Sequence, residues 1–453
     1  MKGILVLLDG LGDLSSIQLG EKTPLEAAET PNLDFLAARG EMGCMHPVKP
    51  GFVPESDDAI TSLFGNTILD STRGQLEARG TDLKITRGDL ALRVNFATID
   101  SLKNRSIIDR RAGRTLTTAE AEILSKALNK IKLPCKFVFK STIQHRAVLV
   151  LKGGFSDNVT GNDTTYLKGV VRIVDKIGNF KALDEEENTQ YTVNILNEFI
   201  EKAFEVLDKH PLNEERRKRG LLPANFLLMR GAGIEPPKLK FYRRWLSIVY
   251  MPLEIGFSKI SGMTVFSFDY PKMKTLDSYE NLWDGLKKAC NFSIKVLKRN
   301  IKGFDYAYIH IKETDTPGHD NKPIEKKLMI EYLDRVLFKF LKDFATQNKI
   351  KIVVTGDHST PCKLKSHSAD PVPVLFYNDK PPKPKSKFLS FFQAANKKIL
   401  FSQKKNSQTL DEKTENMPKL EQIREKFCEK NAKNGNLGRF SSNELLEKVG
   451  FLK

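Results

Sequence analysis

Three carboxylates and three histidines follow apolar segments that have the composition of buried strands, namely GILVLL, FDYAYIHI and KIVVT. In an open α/β sheet, ligands bind at the carboxyl ends of the strands, so we expect these side chains to meet at one edge. The chain contains seven histidines, and three of them fall at these positions. Six nitrogen and oxygen ligands suit two divalent cations better than a metal that prefers thiolates. The candidates are Asp9, Asp315, His319, Asp357, His358 and His367.

A serine that could act as a nucleophile lies in the segment VPESDDAITSLFG. Ser56 precedes a predicted helix that begins near Asp57, and free backbone N–H groups at a helix start can hold a phosphate. A metal-bound hydroxyl loses its proton near neutral pH, as bound water does. Taken one at a time, these residues are explained at least as well by local structure, with Ser56 as a helix cap and each Asp or His as a turn residue. The chemical interpretation therefore depends on their coming together.

Predicted strands and helices alternate along much of the chain, which favours an α/β fold with a doubly wound, mostly parallel sheet. Helical patterns occupy 30–40 and 324–345. Between them and around them lie apolar runs typical of strands buried on both faces of a parallel sheet. These runs are 3–8, 304–311, 351–355 and 372–377.

The segment 88–233 has a different pattern of apolar residues. Its apolar runs alternate in the manner of hairpin strands, and a long helix is predicted near 189–208. We interpret this segment as a smaller α+β domain inserted into the first one. The first domain is then discontinuous and comprises 1–87 and 234–453.

Length and composition are those of a soluble enzyme. A chain of 453 residues with 40% hydrophobic and 28% charged residues has room for two or three domains. Its five cysteines form no CxxC pair, which argues against a zinc knuckle or a disulfide framework and favours a reducing compartment. The apolar run ILVLL is too short for a signal sequence or a membrane span. We expect a cytoplasmic protein without a membrane partner.

A net charge of +17 raises the possibility of a nucleic-acid partner. Eight lysines and no acidic residue lie between Lys380 and Lys405, in a Pro-, Lys- and Ser-rich stretch. We interpret 380–425 as a flexible insertion within the first domain. A solvated charge run is the commoner explanation of such lysines, and no known RNA- or DNA-binding motif accompanies them. We therefore expect no nucleic-acid partner.

Motifs along nearly the whole chain resemble a known family. The segments LLDGLGD, SDDAITSLFG, RGQLEARG, NFATID, DRRAGR, HIKETDTPGHD and TGDHSTP occur in this order. They resemble the archaeal-type 2,3-bisphosphoglycerate-independent phosphoglycerate mutases of the alkaline phosphatase superfamily. The resemblance implies an alkaline-phosphatase-like fold and an isomerase of glycolysis and gluconeogenesis. Such an enzyme interconverts 3-phosphoglycerate and 2-phosphoglycerate, its small-molecule substrates, through a phosphoserine intermediate.

The resemblance also assigns roles to the candidate residues. Ser56 would be the nucleophile. It would bind one metal together with Asp9, Asp357 and His358, whereas the second metal would be bound by Asp315, His319 and His367. Mn²⁺ is the expected metal, and Mg²⁺, Co²⁺ or Zn²⁺ would also suit these ligands.

A mutase must keep the glycerate bound and exclude water, because water would turn the reaction into hydrolysis. The inserted domain would then act as a lid that supplies cations for the phosphate and carboxylate groups. We expect Asp109 and Asp157 to orient these cations or the glycerate hydroxyls. The predicted substrate-binding residues are Arg110, Arg111, Arg114, His145, Arg146, Asp157 and Arg230.

Two places depart from what the resemblance implies. Glu55 precedes the expected nucleophile where we expect a small residue, and it places a negative charge beside the phosphate. The segment 251–263 matches the family pattern poorly, and a lysine from this segment that assists phosphoryl transfer would be Lys259.

Two other functions remain open at this stage. One is a metal-dependent phosphatase, or a phosphotransferase, acting on another small phosphorylated metabolite, which would keep the metal cluster and change the lid. The other is a basic scaffold that binds nucleic acid through Lys380 to Lys405. The sequence does not indicate an oligomeric state.

Overall fold

The computed structural model describes residues 1–68, 73–163, 166–167, 170–171, 176–379 and 426–452. The expected lysine-rich insertion, 380–425, lies outside the described residues. Within these ranges, no helix combines the length and the apolar character needed to cross a bilayer.

The main sheet has its first strand, β1 (Gly3–Leu8), near its centre. The two strands beside β1 both run parallel to it. In the described part of the chain its order is β11 (Thr264–Phe266), β10 (Trp245–Ile248), β12 (Tyr306–Ile311), β1 (Gly3–Leu8), β13 (Lys351–Gly356), β14 (Val372–Tyr377), β2 (Gly40–His46) and β15 (Gly438–Ser441).

The expectation of a parallel strand at 372–377 was wrong. β14 runs antiparallel to both β13 and β2, whereas the other neighbours in the main sheet are parallel. A parallel neighbour needs a crossover, usually through a helix. No helix lies between β13 and β14, so the chain turns back directly and the strand direction reverses.

Helices cover both faces of the main sheet. Ile4, Val6 and Leu8 of β1 pack on one face with α2, α9, α11 and α12, and Leu5 and Leu7 pack on the other with α3 and α8. The predicted helix at 324–345 is α11 and α12, joined by one π-helical turn, Asp334–Phe338. The helices are α1 (Pro24–Ala27), α2 (Pro31–Ala38), α3 (Ser56–Leu63), α4 (Arg73–Arg79), α5 (Thr118–Leu128), α6 (Glu187–Asp208), α7 (Pro211–Lys218), α8 (Pro252–Ile260), α9 (Ser278–Asn300), α10 (Asp315–His319), α11 (Pro323–Leu333) and α12 (Lys339–Asn348), followed by short helices Glu429–Lys433 and Leu445–Lys448.

A second, antiparallel sheet is built from residues between the two parts of the main sheet. Its central strand β3 pairs with β4, β6 and β9, and β5 extends it beyond β6. Helices α5 and α6 cover it and form a separate core. The strands are β3 (Leu90–Ile99), β4 (Ile107–Asp109), β5 (Phe137–Ser141), β6 (Arg146–Leu151) and β9 (Phe226–Gly233), and β7 (Tyr166–Leu167) pairs with β8 (Val170–Val171). This is the expected smaller α+β portion; the boundaries 88 and 233 stay a prediction.

Helix α4 joins the two sheets through close backbone approaches. A Cβ added at Gly256 of α8 would lie 1.8 Å from the carbonyl oxygen of Leu76 in α4. One added at Gly74 of α4 would lie 2.1 Å from the carbonyl oxygen of Ala91 in β3. Only glycine permits these contacts, so α4 is held tightly between the inserted sheet and the main domain.

We expect Gly256→Ala to destabilise the protein by about 1–3 kcal/mol, because the added methyl must push α4 away from α8. Urea unfolding followed by circular dichroism measures this. Gly303→Ala is the control, since its nearest neighbouring atom, the carbonyl oxygen of Asn300, would lie 3.8 Å from the new Cβ. Equal stability of the two variants would contradict the close packing of α4 on α8.

Candidate active site

Three parallel strands end at the same level and deliver the acidic side chains. Leu8, the last residue of β1, is in register with Ile311 at the end of β12 and with Gly356 at the end of β13. Asp9 and Asp357 therefore follow adjacent strand ends. The turn after Asp9 requires glycine, because Gly10 has φ +62° and a Cβ there would lie 2.7 Å from Oδ1 of Asp315.

His358 lies at the centre of the first group. Its Nε2 is 3.2 Å from Oδ1 of Asp9, 3.4 Å from Oδ2 of Asp357 and 3.3 Å from Oγ of Ser56. Ser56 is the first residue of α3, and its side chain is buried with the others. The predicted nucleophile thus lies against one predicted metal-binding group.

Asp315 is the centre of the second group. The single turn of α10 places His319 four residues later on the same side, with Nε2 3.3 Å from Oδ2 of Asp315, and Nε2 of His367 is 3.8 Å from Oδ1. Nδ1 of His319 contacts the carbonyl oxygen of Lys365 and Nδ1 of His367 that of Pro54, at 3.0 and 2.8 Å. These contacts place the Nδ1 proton and leave each Nε2 able to bind a cation.

The side chains fit divalent cations, although the grouping differs from the expected one. Two groups have ligand atoms within 4.8 Å of one another: Asp315 with His358 and His367, and Asp9 with His310 and Asp357. His358 thus lies between the two expected sets, and its ring stacks on that of His367 at 3.7 Å. Oδ1 of Asp9, Oδ2 of Asp357 and Nε2 of His310 are buried without a well-formed hydrogen bond in the described part of the chain. A bound cation would satisfy them.

Charged and titratable side chains are concentrated at this edge of the main sheet, which we call the rim. The rim consists of Asp9, Asp315, His319, Asp357, His358 and His367. Burial opposes a positive charge on His358, but Asp357 and Asp9 raise its pKa to about 9. Burial also opposes ionisation of Asp315, yet His319 and His367 hold its pKa well below the usual range. Asp315 is therefore ionised near a protonated His358, whereas burial and the charge of Asp357 raise the pKa of Asp9. A bound cation would take over the role of the His358 proton.

Sequence reasoning missed His310 and Lys312. Nδ1 of His310 contacts the hydroxyl of Tyr308 at 2.8 Å, and its Nε2 lies 3.5 Å from Oδ2 of Asp357. Lys312 forms an ion pair with Asp9 and another with Glu254, the latter at 2.8 Å. Tyr308, His310 and Lys312 alternate with isoleucines along β12 and its end, and this period of two was the available signal.

Beside Ser56 lies a cavity lined by cationic side chains from both sheets and from α4. Arg73 and Arg93 were not predicted; they come from α4 and from the central strand of the second sheet. The cationic residues that line the cavity are Arg73, Arg93, Arg111, Arg146, Arg230 and Lys312.

The predicted lid residues fall into two sets. Arg111, Arg146 and Arg230 line the cavity beside Ser56, and an adjoining cavity is lined by Arg114 and His145 as well as by Arg111 and Arg146. Burial and the charge of Arg111 lower the pKa of Arg114 to about 10. Burial, then the charge of Arg146, holds the pKa of His145 well below its usual value.

Three predicted residues are directed elsewhere. Arg110 forms an ion pair with Asp163, and Oδ2 of Asp157 accepts a hydrogen bond from the backbone N–H of Ile234 at 3.1 Å. Lys259 donates to the carbonyl oxygen of Arg79 at 3.2 Å. None of these three lines either described cavity. Asp109 accepts from the backbone N–H groups of 111 and 113, so it shapes the loop that carries Arg111.

A buried network supports the rim from behind. Nζ of Lys326, which is fully buried, donates to Oδ2 of Asp13 at 2.7 Å and to the carbonyl oxygen of Thr360 at 3.1 Å. Glu429 accepts from the backbone N–H of Asp13 at 3.3 Å and from the hydroxyl of Thr23 at 2.6 Å. The loops after β1 and β13 are thereby tied to the chain that returns at 426.

The comparisons agree with a metal-dependent enzyme. A model of the metalloenzyme superfamily matches residues 257–430, and a model described as 2,3-bisphosphoglycerate-independent phosphoglycerate mutase matches residues 37–213. Among solved structures, one from Pyrococcus horikoshii aligns with a TM-score of 0.68 and 28% identity and covers 100% of this chain and 98% of that one. The cofactor-independent phosphoglycerate mutase of Thermoplasma acidophilum aligns with a TM-score of 0.51 and 27% identity over 100% of both chains.

The 2,3-bisphosphoglycerate-independent phosphoglycerate mutase of Pyrococcus furiosus is 42% identical over 382 residues, which is 83% of this chain and 87% of that protein. The chain belongs to the family of 2,3-bisphosphoglycerate-independent phosphoglycerate mutases, which are isomerases. The expected fold class, a mostly parallel α/β sheet with an inserted α+β portion, is confirmed.

The buried network of Asp13, Lys326 and Glu429 predicts that the stability of the folded protein depends on pH. Burial raises the pKa of Glu429 to about 7, whereas a glutamate in an unfolded chain titrates near about 4.3. Between these values the unfolded chain has lost a proton that the folded protein retains, so stability falls as pH rises. Glu429→Gln cannot ionise. We expect it to resemble the parent near pH 4.5 and to be more stable by up to about 3 kcal/mol at pH 8.

Urea unfolding at the two pH values measures this difference. Glu447→Gln, at an exposed position, is the matched control and should leave the pH dependence unchanged. A difference between parent and Glu429→Gln that is the same at pH 4.5 and pH 8 would show that Glu429 is already ionised in the folded protein.

Proposed function

We propose that this protein interconverts 3-phosphoglycerate and 2-phosphoglycerate through a phosphoserine on Ser56, at a site that holds two divalent cations. The observation that carries the proposal is the position of Ser56, with Oγ 3.3 Å from Nε2 of His358 and beside an arginine-lined cavity. Membership of the mutase family supports the choice of substrate. The reaction would belong to glycolysis and gluconeogenesis in the cytoplasm.

The cations would be held by the carboxylates and imidazoles of the rim. The family resemblance favours Asp9, Ser56, Asp357 and His358 for one cation and Asp315, His319 and His367 for the other. His310 lies close enough to join the first set. Such cations, with Mn²⁺ as our first choice, supply Lewis acidity that lowers the pKa of the serine and neutralises phosphoryl oxygens.

The chain's own groups would carry out two successive displacements. Oγ of Ser56 gives up its proton and attacks phosphorus in line, the bond from phosphorus to the 3-oxygen of the substrate breaks, and that oxygen takes up one proton in place of the one that Ser56 lost. The 2-hydroxyl of the retained glycerate then gives up its proton and attacks the phosphoserine, the bond from phosphorus to Oγ breaks, and Oγ of Ser56 takes up a proton again. The N–H groups at the start of α3 and the ammonium of Lys312 lie where they can stabilise the phosphoryl group.

Reorientation of the glycerate needs room and anchors. The cavity beside Ser56 and the adjoining cavity share several lining residues, so they lie side by side. Arg111 and Arg146 line both, and they are therefore suited to hold the glycerate carboxylate while the hydroxyl groups exchange places. The inserted sheet supplies these anchors and limits the access of water.

Ser56→Ala should abolish turnover, because the variant lacks the hydroxyl that accepts the phosphoryl group. Phosphorus NMR with 3-phosphoglycerate and Mn²⁺, without 2,3-bisphosphoglycerate, would show 2-phosphoglycerate forming with the parent and not with the variant. Ser62→Ala on the same helix is the control; Ser62 contacts Ser442 and should be dispensable for turnover. Release of inorganic phosphate alone would instead indicate a phosphatase.

Asp315→Asn should remove one of two bound equivalents of Mn²⁺ and reduce turnover by about 10³-fold or more. Isothermal titration calorimetry and elemental analysis count the metal. The matched control is Asp320→Asn, since Asp320 pairs with Arg114 and Tyr279 and should leave the metal content unchanged. Two tightly bound equivalents in Asp315→Asn would contradict the assignment of Asp315 as a ligand.

A further inference from the structure

Glu55 stands directly before Ser56, and its carboxylate reaches into the guanidinium groups beside the serine. One of its oxygens contacts Nη1 of Arg73 and the other contacts Nη1 of Arg230. We propose that Glu55 is an internal competitor for the anion site beside Ser56, and that its carboxylate must leave Arg73 and Arg230 when a phosphoryl group binds there. The inference rests on the proposed function only for the identity of the substrate.

The arrangement of the arginines indicates a site made for an anion. Strands β3 and β9 place Arg93 directly opposite Arg230. Like charges at opposite positions of antiparallel strands destabilise a sheet. Burial, together with the charges of Arg230 and Arg73, lowers the pKa of Arg93 to about 9, which reflects this repulsion. Buried positive charge of this kind needs a counter-anion.

Three carboxylates supply the counter-charge at present. Oε1 of Glu77 lies 2.9 Å from Nε of Arg73 and 3.1 Å from Nε of Arg93, and Oδ1 of Asp57 lies 2.9 Å from Nη1 of Arg73. With Glu55, three carboxylates face three guanidinium groups. These carboxylates neutralise the three guanidinium groups, so an anion that binds to Arg73 and Arg230 must displace one carboxylate.

Glu55 is the carboxylate best placed to withdraw. Its side chain is 19% exposed, compared with 12% for Asp57 and 4% for Glu77. Asp57 and Glu77 lie within helices α3 and α4, whereas Glu55 is the N-cap residue of α3. Its side chain also forms a capping box with Asp58, a contact that withdrawal would break. The two oxygens of Glu55 are held by Arg73 and Arg230, so an anion that binds to these guanidinium groups must compete with it directly.

Such competition weakens the binding of every ligand whose phosphoryl group occupies this anion site. The apparent affinity is reduced by the fraction of protein in which Glu55 has withdrawn. Inorganic phosphate has no other anchor in the arginine cluster. A ligand that carries a carboxylate as well as a phosphoryl group has a second anchor at Arg111 and Arg146, which line the same cavity, and this anchor offsets the loss.

The test is the affinity of inorganic phosphate for the Mn²⁺-loaded protein, measured by calorimetry and as inhibition of turnover. We expect Glu55→Gln, and Glu55→Ala as a second variant, to bind phosphate about tenfold or more tightly than the parent, since one competing charge is removed. Affinity for phosphoglycerate should rise by a similar factor, because its phosphoryl group meets the same competitor. Thermal unfolding confirms that each variant is folded.

Glu77→Gln is the matched comparison, because it removes the same charge from the same cluster, but from the Nε atoms of Arg73 and Arg93 rather than from the Nη1 atoms of Arg73 and Arg230. We expect it to bind phosphate no more tightly than the parent. If Glu55→Gln and Glu77→Gln increase the affinity for phosphate equally, the effect depends on the net charge of the cluster and not on the position of Glu55, and the proposal is overturned. Unchanged or weaker phosphate binding in both folded Glu55 variants would also overturn it. Because phosphate binding needs no turnover, tighter binding without mutase activity would refute only the proposed reaction.

Discussion

The structure depends on one constraint, namely that several negatively charged side chains are buried close together where neighbouring strands of the main sheet end. The common register of β1, β12 and β13 brings the carboxylates of Asp9, Asp315 and Asp357 to one edge. Charges buried this close together are stable only with counter-charges or a bound cation. The three histidines of the rim, Lys312 and the network behind Asp13 are the compensation that the chain itself provides.

The inserted sheet presents the opposite problem, since it buries positive charge. Arg93, Arg230 and Arg73 come from three separate elements and face Ser56 across the cavity. The close backbone contacts of α4 with α8 and β3 determine where Arg73 stands. A negative rim and a positive lining thus enclose the same space, and a phosphorylated, metal-binding substrate satisfies both. Glu55, at the junction of the two, connects the start of α3 to the inserted sheet.

The sequence predicted residues near strand ends more successfully than residues on the insert. Asp9, Asp315, His319, Asp357, His358, His367 and Ser56 all come together in the structure, and their metal-binding and nucleophilic roles stay predictions. Arg111, Arg146 and Arg230 reach the cavity, whereas Arg110 and Asp157 do not. Adjacent arginines in one loop point in different directions, and a motif carries no information about which of them turns inward.

The sequence by itself determined the alternation of buried strands and helices, the inserted α+β portion, and the candidate ligands that follow strands. Each of these depends on local periodicity and on the rule that parallel strands end at one edge. Only the tertiary structure decided that β14 is antiparallel, that His358 lies between both candidate metal groups, and that His310, Lys312, Arg73 and Arg93 belong to the site. These outcomes depend on contacts between segments far apart in the chain, where pairing direction, register and side-chain orientation are set by packing rather than by local sequence.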